Sequence, residues 1–218
     1  MINIKRFAFN PFQVNTYVLS DESRACVIID PGCADGMELL ALDNYIRENG
    51  LRPEHVLLTH THIDHVIGCN AVEERLGTGP EGHRAGMVFL DHSVRTASTY
   101  GMDLDRNPEL TRYLEEGVDV VFGNSKLEVL YTPGHADGSV CFLSREDSFV
   151  VVGDVLFQMS IGRTDFPTGD FDLLKRSIFE KLFTLPDDTV VYPGHGPETT
   201  IGYEKANNPF LGGDNFIY

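Results

Sequence analysis

The residues His60-Thr61-His62-Ile63-Asp64-His65 follow directly on a short apolar run at positions 55–59, and they decide how the rest of the chain is interpreted. Side chains two positions apart in an extended segment point the same way, so His60 and His62 are placed to hold one metal ion. The chain is then expected to turn into a helix, where adjacent side chains diverge. Asp64 and His65 would therefore face a second metal position a few ångströms from the first.

Three further candidate ligands each follow an apolar run and a glycine: His135 after residues 126–132, Asp154 after 149–152, and His195 after 189–192. In layered α/β folds, the loops beyond the strand ends converge on one edge of the sheet. His135 would complete the first metal position and His195 the second, with Asp154 between them. Any one of these residues alone is typical of a surface group or a turn, but the whole set in order predicts a metal site. Nitrogen and carboxylate ligands suit zinc, iron or manganese.

The hydrophobic pattern predicts strands and helices along the whole chain. Strands are expected at residues 2–4, 7–9, near 16–19, and at 25–29, 55–59, 88–90, 118–122, 126–132, 139–143, 149–152 and 189–192. Helices are expected at about 39–46, 70–76 and 170–185, the last with Asp170 as its N-cap. Residues 91–116 are expected to be helical or irregular and to line the site. This order favours an α/β (or α+β) fold, with two mixed sheets packed face to face and helices outside, in a single domain spanning residues 1–218.

Composition and charge argue against some classes of binding partner, namely nucleic acids and membranes. The 218 residues carry a formal net charge of −16, which argues against nucleic acid as a substrate. No apolar run approaches the ~20 residues that span a bilayer, so no membrane contact is expected. The first residues lack the apolar stretch of a signal peptide, so a cytoplasmic location is expected, with the four cysteines reduced and mostly buried. The sequence does not reveal the oligomeric state. The apolar residues at 209–211 and 216–218 are expected to dock on their own subunit.

The string from Thr59 to His65, with Gly68 close behind, resembles the HxHxDH motif of the metallo-β-lactamase superfamily. The later Pro-Gly-His, Gly-Asp and Gly-His-Gly segments resemble its remaining ligand motifs, in the expected order. The resemblance implies a four-layer αββα sandwich, two mixed β-sheets flanked by helices, and a metal-dependent hydrolase that acts on a small molecule. The implied metal ligands are His60, His62, Asp64, His65, His135, Asp154 and His195. Asp64 and Asp154 are the implied catalytic residues, and the cofactor is a pair of divalent ions, zinc first, with iron or manganese as alternatives.

Within the superfamily, residues 160–166 and 194–200 are most similar to type II glyoxalases (hydroxyacylglutathione hydrolases), especially their short bacterial relatives. The resemblance implies cleavage of an S-acylglutathione-type thioester by a hydroxide that bridges the two metals. Arg163, nine positions after Asp154, is implied to bind the glutathione moiety; the alternative is a loop arginine bonded to Asp165. The C-terminal helical domain of full-length type II glyoxalases is expected to be missing, because only 23 residues follow His195. Pro197 and Asp165 also stand where those enzymes carry tyrosines.

Other functions stay open at this point. One alternative is a persulfide dioxygenase, an oxidoreductase that holds a single iron with two histidines and an aspartate; another is a lactone hydrolase. A purely structural or binding role would require an incomplete ligand set. His55, His83 and His92 lie outside the set and are expected to be structural, although His92 falls in the segment expected to border the site.

Overall fold

Two runs of strands, each with its own helices, follow one another along the chain. The computed structural model describes residues 1–212. The strands are β1 (Asn3–Phe9), β2 (Val14–Ser20), β3 (Ala25–Ile29), β4 (Arg52–Leu57), β5 (Pro80–Gly82), β6 (Arg112–Tyr113), β7 (Val120–Phe122), β8 (Ser125–Tyr131), β9 (Val140–Ser144), β10 (Phe149–Gly153), β11 (Leu156–Phe157), β12 (Ser160–Ile161), β13 (Val190–Pro193) and β14 (Thr199–Thr200). The α-helices are α1 (Gly36–Glu48), α2 (Ile63–Val66), α3 (Cys69–Leu76), α4 (Met87–Leu90), α5 (Ser93–Thr99), α6 (Phe171–Ser177) and α7 (Ile201–Asn207).

The strands form two mixed sheets, as the sequence predicts. The first sheet has the order β1-β2-β3-β4-β5-β6, with β1 to β3 antiparallel and β3 to β6 parallel. The second has the order β14-β13-β10-β9-β8-β7, in which only the β10–β13 pair is parallel. Strands β11 and β12 form a separate small hairpin that leads towards Arg163.

Three of the four hydrophobic clusters among residues 1–212 show how the sheets and helices pack. A central cluster joins the inner faces of both sheets, with Leu19 and Ile29 from one and Phe142 and Val151 from the other. The outer face of the first sheet packs on α1 and α3, and the outer face of the second packs on α6 and α7. Strands β3, β9 and β10 are buried along their whole length because both of their faces are covered. The result is the four-layer αββα sandwich that the sequence predicts.

Two helices begin at aspartates whose side chains cap the first backbone N–H groups. The Asp35 side chain accepts hydrogen bonds from the backbone N–H groups of Met37 and Glu38 at the start of α1. Asp170 caps α6 as predicted, accepting from the Leu173 N–H at 2.9 Å. The predicted single helix over 170–185 is α6 followed by a π-helical turn at Ile178–Leu182. All four cysteines are free and buried, as expected.

One predicted strand is wrong. Residues 88–90 lie in helix α4, with Val88 exposed and Leu90 buried. Three apolar residues in a row are too few to show a period, and their backbone bonds run within the helix, from Asp91 N–H to Met87 C=O. The segment 91–116 contains both α5 and a short strand, β6, which the sequence pattern misses. It also misses β5, β11, β12, β14 and α7, since elements of two or three residues and one polar helix carry little periodic signal.

The C-terminal segment packs on the body of the protein as far as the structure describes it. Of residues 209–211, which are expected to dock on their own subunit, Leu211 joins the cluster beneath α6 and α7, whereas Pro209 and Phe210 are exposed. The second apolar segment, 216–218, lies outside the described residues. Within residues 1–212, none of the helices combines the length and the apolar character needed to cross a membrane.

Candidate metal centre

The predicted ligands converge at one edge of the sandwich, where strands from both sheets end. His60, His62, Asp64 and His65 lie between β4 and the end of α2. The remaining three follow the second sheet's strands: His135 after β8, Asp154 after β10 and His195 after β13. The two sheets thus bring residues 60 and 195 together because their carboxyl-end loops open on the same side.

The first group consists of His60, His62 and His135. Each offers one ring nitrogen, and these atoms lie within 4.8 Å of one another. The Nε2 atom of His135 is 3.0 Å from Nδ1 of His62. Burial, followed by the positive charge of neighbouring histidines, holds the pKa of His60 well below its usual range and lowers that of His62 to about 4. Both rings are therefore neutral at cellular pH, which is the form that binds a metal.

The second group consists of Asp64, His65 and His195, whose ligand atoms also lie within 4.8 Å of one another. Asp64 Oδ2 is 3.1 Å from His195 Nε2 and 3.6 Å from His65 Nε2. The turn into α2 places Asp64 and His65 on this side, together with His195. Burial opposes a charge on His65, but the carboxylates of Asp64, Asp154 and Asp30 prevail and raise its pKa.

Asp154 lies between the two groups. Its Oδ1 is 3.5 Å from His65 Nε2, and its Oδ2 is 3.7 Å from His135 Nε2 and 3.6 Å from His195 Nε2. Burial alone would raise the pKa of this carboxyl, but His65, His195 and His135 hold it below its usual range. Asp154 also forms a third compact group with His60 and His65.

The donor atoms fit divalent cations. Nε2 of His60, Nε2 of His65 and Oδ1 of Asp154 are buried and have no hydrogen-bond partner. Buried polar atoms are nearly always paired, so three unpartnered atoms within 4.8 Å of one another are suited to sharing a positively charged ligand. The raised pKa of His65 shows that the local field favours positive charge. A set of nitrogen and carboxylate donors is suited to zinc, iron or manganese.

Outer hydrogen bonds orient the rings. His65 Nδ1 lies 2.9 Å from Asp30 Oδ2, His135 Nδ1 lies 2.7 Å from the Arg163 carbonyl, and His195 Nδ1 lies 3.0 Å from the Phe12 carbonyl. Donation through Nδ1 leaves each Nε2 free to bind a metal. Asp30, which follows the strand predicted at residues 25–29, is not among the predicted site residues, so this role is missed. An acidic residue directly after the apolar strand β3 is the signal that could have identified it.

Two glycines make room for Asp154. A Cβ on Gly194 would collide with Oδ1 of Asp154 and lie 2.8 Å from Cε1 of His65. A Cβ on Gly162 would collide with the Asp154 carbonyl and lie 3.1 Å from Nδ1 of His135. The glycine before His195 is thus needed for the close approach of the chain after β13 to the Asp154 carboxylate.

Arg163 lies beside the cluster, with its side chain largely exposed. Its guanidinium donates to both oxygens of Asp165, at 2.9 and 2.7 Å, and stacks over the Phe166 ring at 4.3 Å. This ion pair with Asp165 corresponds to the second of the two roles predicted for Arg163, that of a loop arginine, and not to glutathione binding. Both partners are 66% exposed, so either carboxylate, that of Asp165 or that of a ligand, can reach the guanidinium.

The three remaining histidines lie apart from the cluster's donor atoms. His55 pairs with Glu81, and the His83 ring stacks on Tyr131 with centroids 4.5 Å apart. His92 is exposed and lines a cavity beside His62. The expectation that His92 borders the site therefore agrees with its position.

Comparisons with known proteins agree with this geometry. The metallo-β-lactamase superfamily model matches residues 9–195. The chain is 39% identical to the probable metallo-hydrolase YqgX of Bacillus subtilis, covering 96% of this chain and 97% of the relative. It is 36% identical to the hydroxyacylglutathione hydrolase GloC of Haemophilus influenzae, covering 96% and 98%.

Solved structures show the same fold. BLEG-1, a B3 metallo-β-lactamase, superposes with a TM-score of 0.88 at 36% identity, over 97% of this chain and all of that one (100%). TTHA1623 in a di-iron-bound form gives a TM-score of 0.85 at 37% identity, over 95% and 100%. With the ligand groups in place and the family model covering most of its length, the chain belongs to the metallo-β-lactamase superfamily.

Proposed function

We propose that the chain is a dinuclear hydrolase that cleaves thioesters of the S-acylglutathione type. His60, His62 and His135 would hold one divalent ion, and Asp64, His65 and His195 the other, with Asp154 shared between them. The observation that carries this proposal is the position of Asp154, whose Oδ2 lies within 3.7 Å of a histidine from each group. The di-iron form of TTHA1623 supports two ions of this kind in a related chain.

When bound, two divalent ions lower the pKa of a water between them towards neutrality and polarise a carbonyl group. The chain's own residues supply the rest. Asp30 and the carbonyls of Phe12 and Arg163 fix the ring orientations, so little reorganisation is needed on binding. No proton donor for the leaving group is required, because a thiol with a pKa of about 8.5 departs as a thiolate.

A glutathione thioester is supported by two independent features. GloC, which matches this chain over nearly its whole length, is a hydroxyacylglutathione hydrolase. Arg163 also offers a guanidinium that is well matched to a carboxylate such as those of glutathione. Its present partner, Asp165, is an exposed carboxylate held in the same bidentate manner.

The test is hydrolysis of S-lactoylglutathione by protein loaded with zinc or iron. The expected result is turnover that falls by more than about 100-fold in Asp154→Asn, with metal content measured in parallel. Asp172→Asn, an exposed aspartate on α6, is the matched control and should retain wild-type activity. Absence of turnover above background in the fully loaded protein would overturn the thioester assignment.

A second candidate is a mononuclear iron persulfide dioxygenase. It is favoured by one observation, the compact group of His60, His65 and Asp154, because two histidines and one carboxylate are the ligands of many non-haem iron oxygenases. One iron per chain and oxygen consumption with glutathione persulfide would support it over the hydrolase. Lactones and a β-lactam belong in the same substrate panel, the latter because BLEG-1 is a β-lactamase.

A further inference from the structure

A cavity of about 280 Å³ opens beside His62, between helices α4 and α5 and the loop at residues 167–168. Its walls are Ile63, Val88, Phe89, Thr96 and Pro167, with His92 among the lining residues. The Phe89 ring packs edge-on against His62, with centroids 4.7 Å apart. A group that enters this cavity is therefore directly beside the first ligand group.

The hydroxyls along this cavity already have backbone partners. Thr61 Oγ1 donates to the Gly86 carbonyl at 2.7 Å, and Thr96 Oγ1 donates to the His92 carbonyl at 3.0 Å. Thr168 Oγ1 accepts from the Asp137 N–H at 3.0 Å. Among the described residues, those that line the cavity include no lysine, arginine, aspartate or glutamate. The cavity is thus suited to an uncharged, mostly apolar group, since a buried charge or polar group without a partner is costly.

The charged end of a glutathione thioester has a separate place to bind. The guanidinium of Arg163 lies 4.3 Å from the centre of the Phe166 ring. The Phe166 ring also contacts the His62 ring, with the two ring centroids 5.4 Å apart. Phe166 therefore stands between the cation and the His62 side of the site. With the thiol portion directed to Arg163, the acyl portion is the part that reaches the cavity.

We infer that this cavity is an acyl-binding pocket, and that the enzyme prefers thioesters with apolar acyl groups of roughly six to eight carbons to the lactoyl ester. The inference rests on the proposed thioester hydrolysis. The size follows from volume, because a cavity of about 150 Å³ holds one benzene ring and this one is nearly twice as large. Each methylene buried here is expected to raise kcat/KM by about fourfold.

The experiment compares glutathione thioesters that differ only in the acyl group: acetyl, lactoyl, butyryl, hexanoyl and phenylacetyl. With the metal-loaded enzyme, kcat/KM should rise about 250-fold from acetyl to hexanoyl, since the longer acyl group adds four methylenes at about fourfold each. A profile that is flat or falls with acyl length, while thioesters are still cleaved, overturns the pocket and leaves the thioester function standing. Cleavage of no thioester overturns the proposed function, and the acyl role with it.

Variants that fill the cavity test whether the preference for long acyl groups arises there. Thr96→Phe should lower kcat/KM for hexanoyl glutathione by at least about 10-fold and leave acetyl glutathione within about threefold. Thr99→Phe is the matched control, because Thr99 on the same helix makes the same type of bond, to the Arg95 carbonyl at 3.1 Å, but does not line the cavity. Equal effects of the two variants on both substrates overturn the assignment.

A second pair of variants and a binding measurement cover the case in which Thr96→Phe fails to fold. Val88→Asp places a charge in the exposed pocket wall, and Val94→Asp places one on exposed α5 surface away from it. Calorimetric binding of hexanamide, a neutral probe, should be lost in Val88→Asp and kept in Val94→Asp. If no thioester is cleaved but hexanamide binding follows this pattern, the proposed function fails and an apolar ligand site remains. If hexanamide does not bind wild-type protein, the pocket is overturned.

Discussion

The Nδ1 atom of His65 lies 2.9 Å from Oδ2 of Asp30, and both side chains are almost fully buried. Asp30 is held in turn by the N–H and hydroxyl of Thr59, which donate to its two carboxylate oxygens. Asp30, at the end of β3, thereby orients His65, a candidate metal ligand on α2. Because carboxylate partners of this kind fix the tautomer and basicity of a metal-binding histidine, Asp30 should govern metal affinity without contacting the metal.

Replacing Asp30 by asparagine should weaken metal binding by about 10-fold to 100-fold. The amide cannot provide two acceptor oxygens, so His65 loses its charged partner. Competition with a chromogenic chelator measures the affinity directly. Asp35→Asn is the matched control, because asparagine caps a helix as well as aspartate does and Asp35 only caps α1. Equal metal affinity in Asp30→Asn and wild-type protein would show that the contact is purely structural.

Replacing Arg163 by alanine should raise KM for glutathione thioesters roughly 5-fold to 10-fold and change kcat little, because it removes uniform binding of a remote carboxylate. A thioester of N-acetylcysteamine, which carries no carboxylate, should be unaffected. Arg145→Ala is the control, since Arg145 makes a comparable exposed pair with Glu128. Asp165→Asn should lower KM, because it frees the guanidinium of Arg163 from its present partner. An equal rise in KM for glutathione and N-acetylcysteamine thioesters would show that Arg163 does not recognise the substrate's carboxylate.

Most of the candidate site could be predicted from the sequence, and the parts that could not have two different physical causes. The seven candidate ligands are found because each follows an apolar strand, and strand-end loops meet at one edge. Asp30 obeys the same rule, but its role depends on a neighbour 35 positions away. The helix at Met87–Leu90 is misread as a strand because three apolar residues cannot distinguish a period of 2 from one of 3.6. Because α4 lines the cavity beside His62, this wall of the cavity could not be predicted from the sequence pattern alone.

His55 and Glu81 should make stability depend on pH. His55 Nδ1 is 2.5 Å from Glu81 Oε1, and Arg112 lies 3.5 Å from the other Glu81 oxygen. The hydrogen bond to Glu81 raises the pKa of His55, with burial opposing it. The native protein therefore holds this proton to higher pH than the unfolded chain does. The resulting stabilisation is complete below the ordinary histidine pKa of about 6.5 and is lost as pH rises through the raised value.

His55→Gln should accordingly destabilise the protein by about 1–3 kcal/mol near pH 6 and by less near pH 9, measured by urea unfolding against wild type at each pH. His83→Gln should show the opposite trend, because burial lowers the pKa of His83 and its protonation opposes folding at low pH. The same pH dependence in both variants would contradict the assigned sign.

Glu204 should hold the hairpin that precedes Arg163. This fully buried side chain accepts from the Thr199 hydroxyl at 2.6 Å, the Asn208 amide at 2.8 Å and the Met159 N–H at 2.9 Å. Glu204→Ala should cost about 2–4 kcal/mol in urea unfolding, because it leaves buried donors without partners. Glu204→Gln should cost less, and Glu198→Ala, at an exposed position on the preceding loop, should cost almost nothing. A loss in Glu204→Ala no larger than in Glu198→Ala would mean that water replaces these bonds.

Gly194→Ala should remove metal binding while leaving the fold intact. The added methyl group would collide with Oδ1 of Asp154 and approach Cε1 of His65, two side chains of one compact group of candidate ligands. Backbone on one side and buried ligands on the other leave it no space, because packed interiors yield little. Elemental analysis should therefore find less than one ion per chain, with secondary structure unchanged by circular dichroism. Gly36→Ala is the control, since a Cβ there meets no atom within 4 Å. Full metal content in Gly194→Ala would show that the carboxylate of Asp154 can move aside and still bind, and that its position between the two groups is not rigidly fixed.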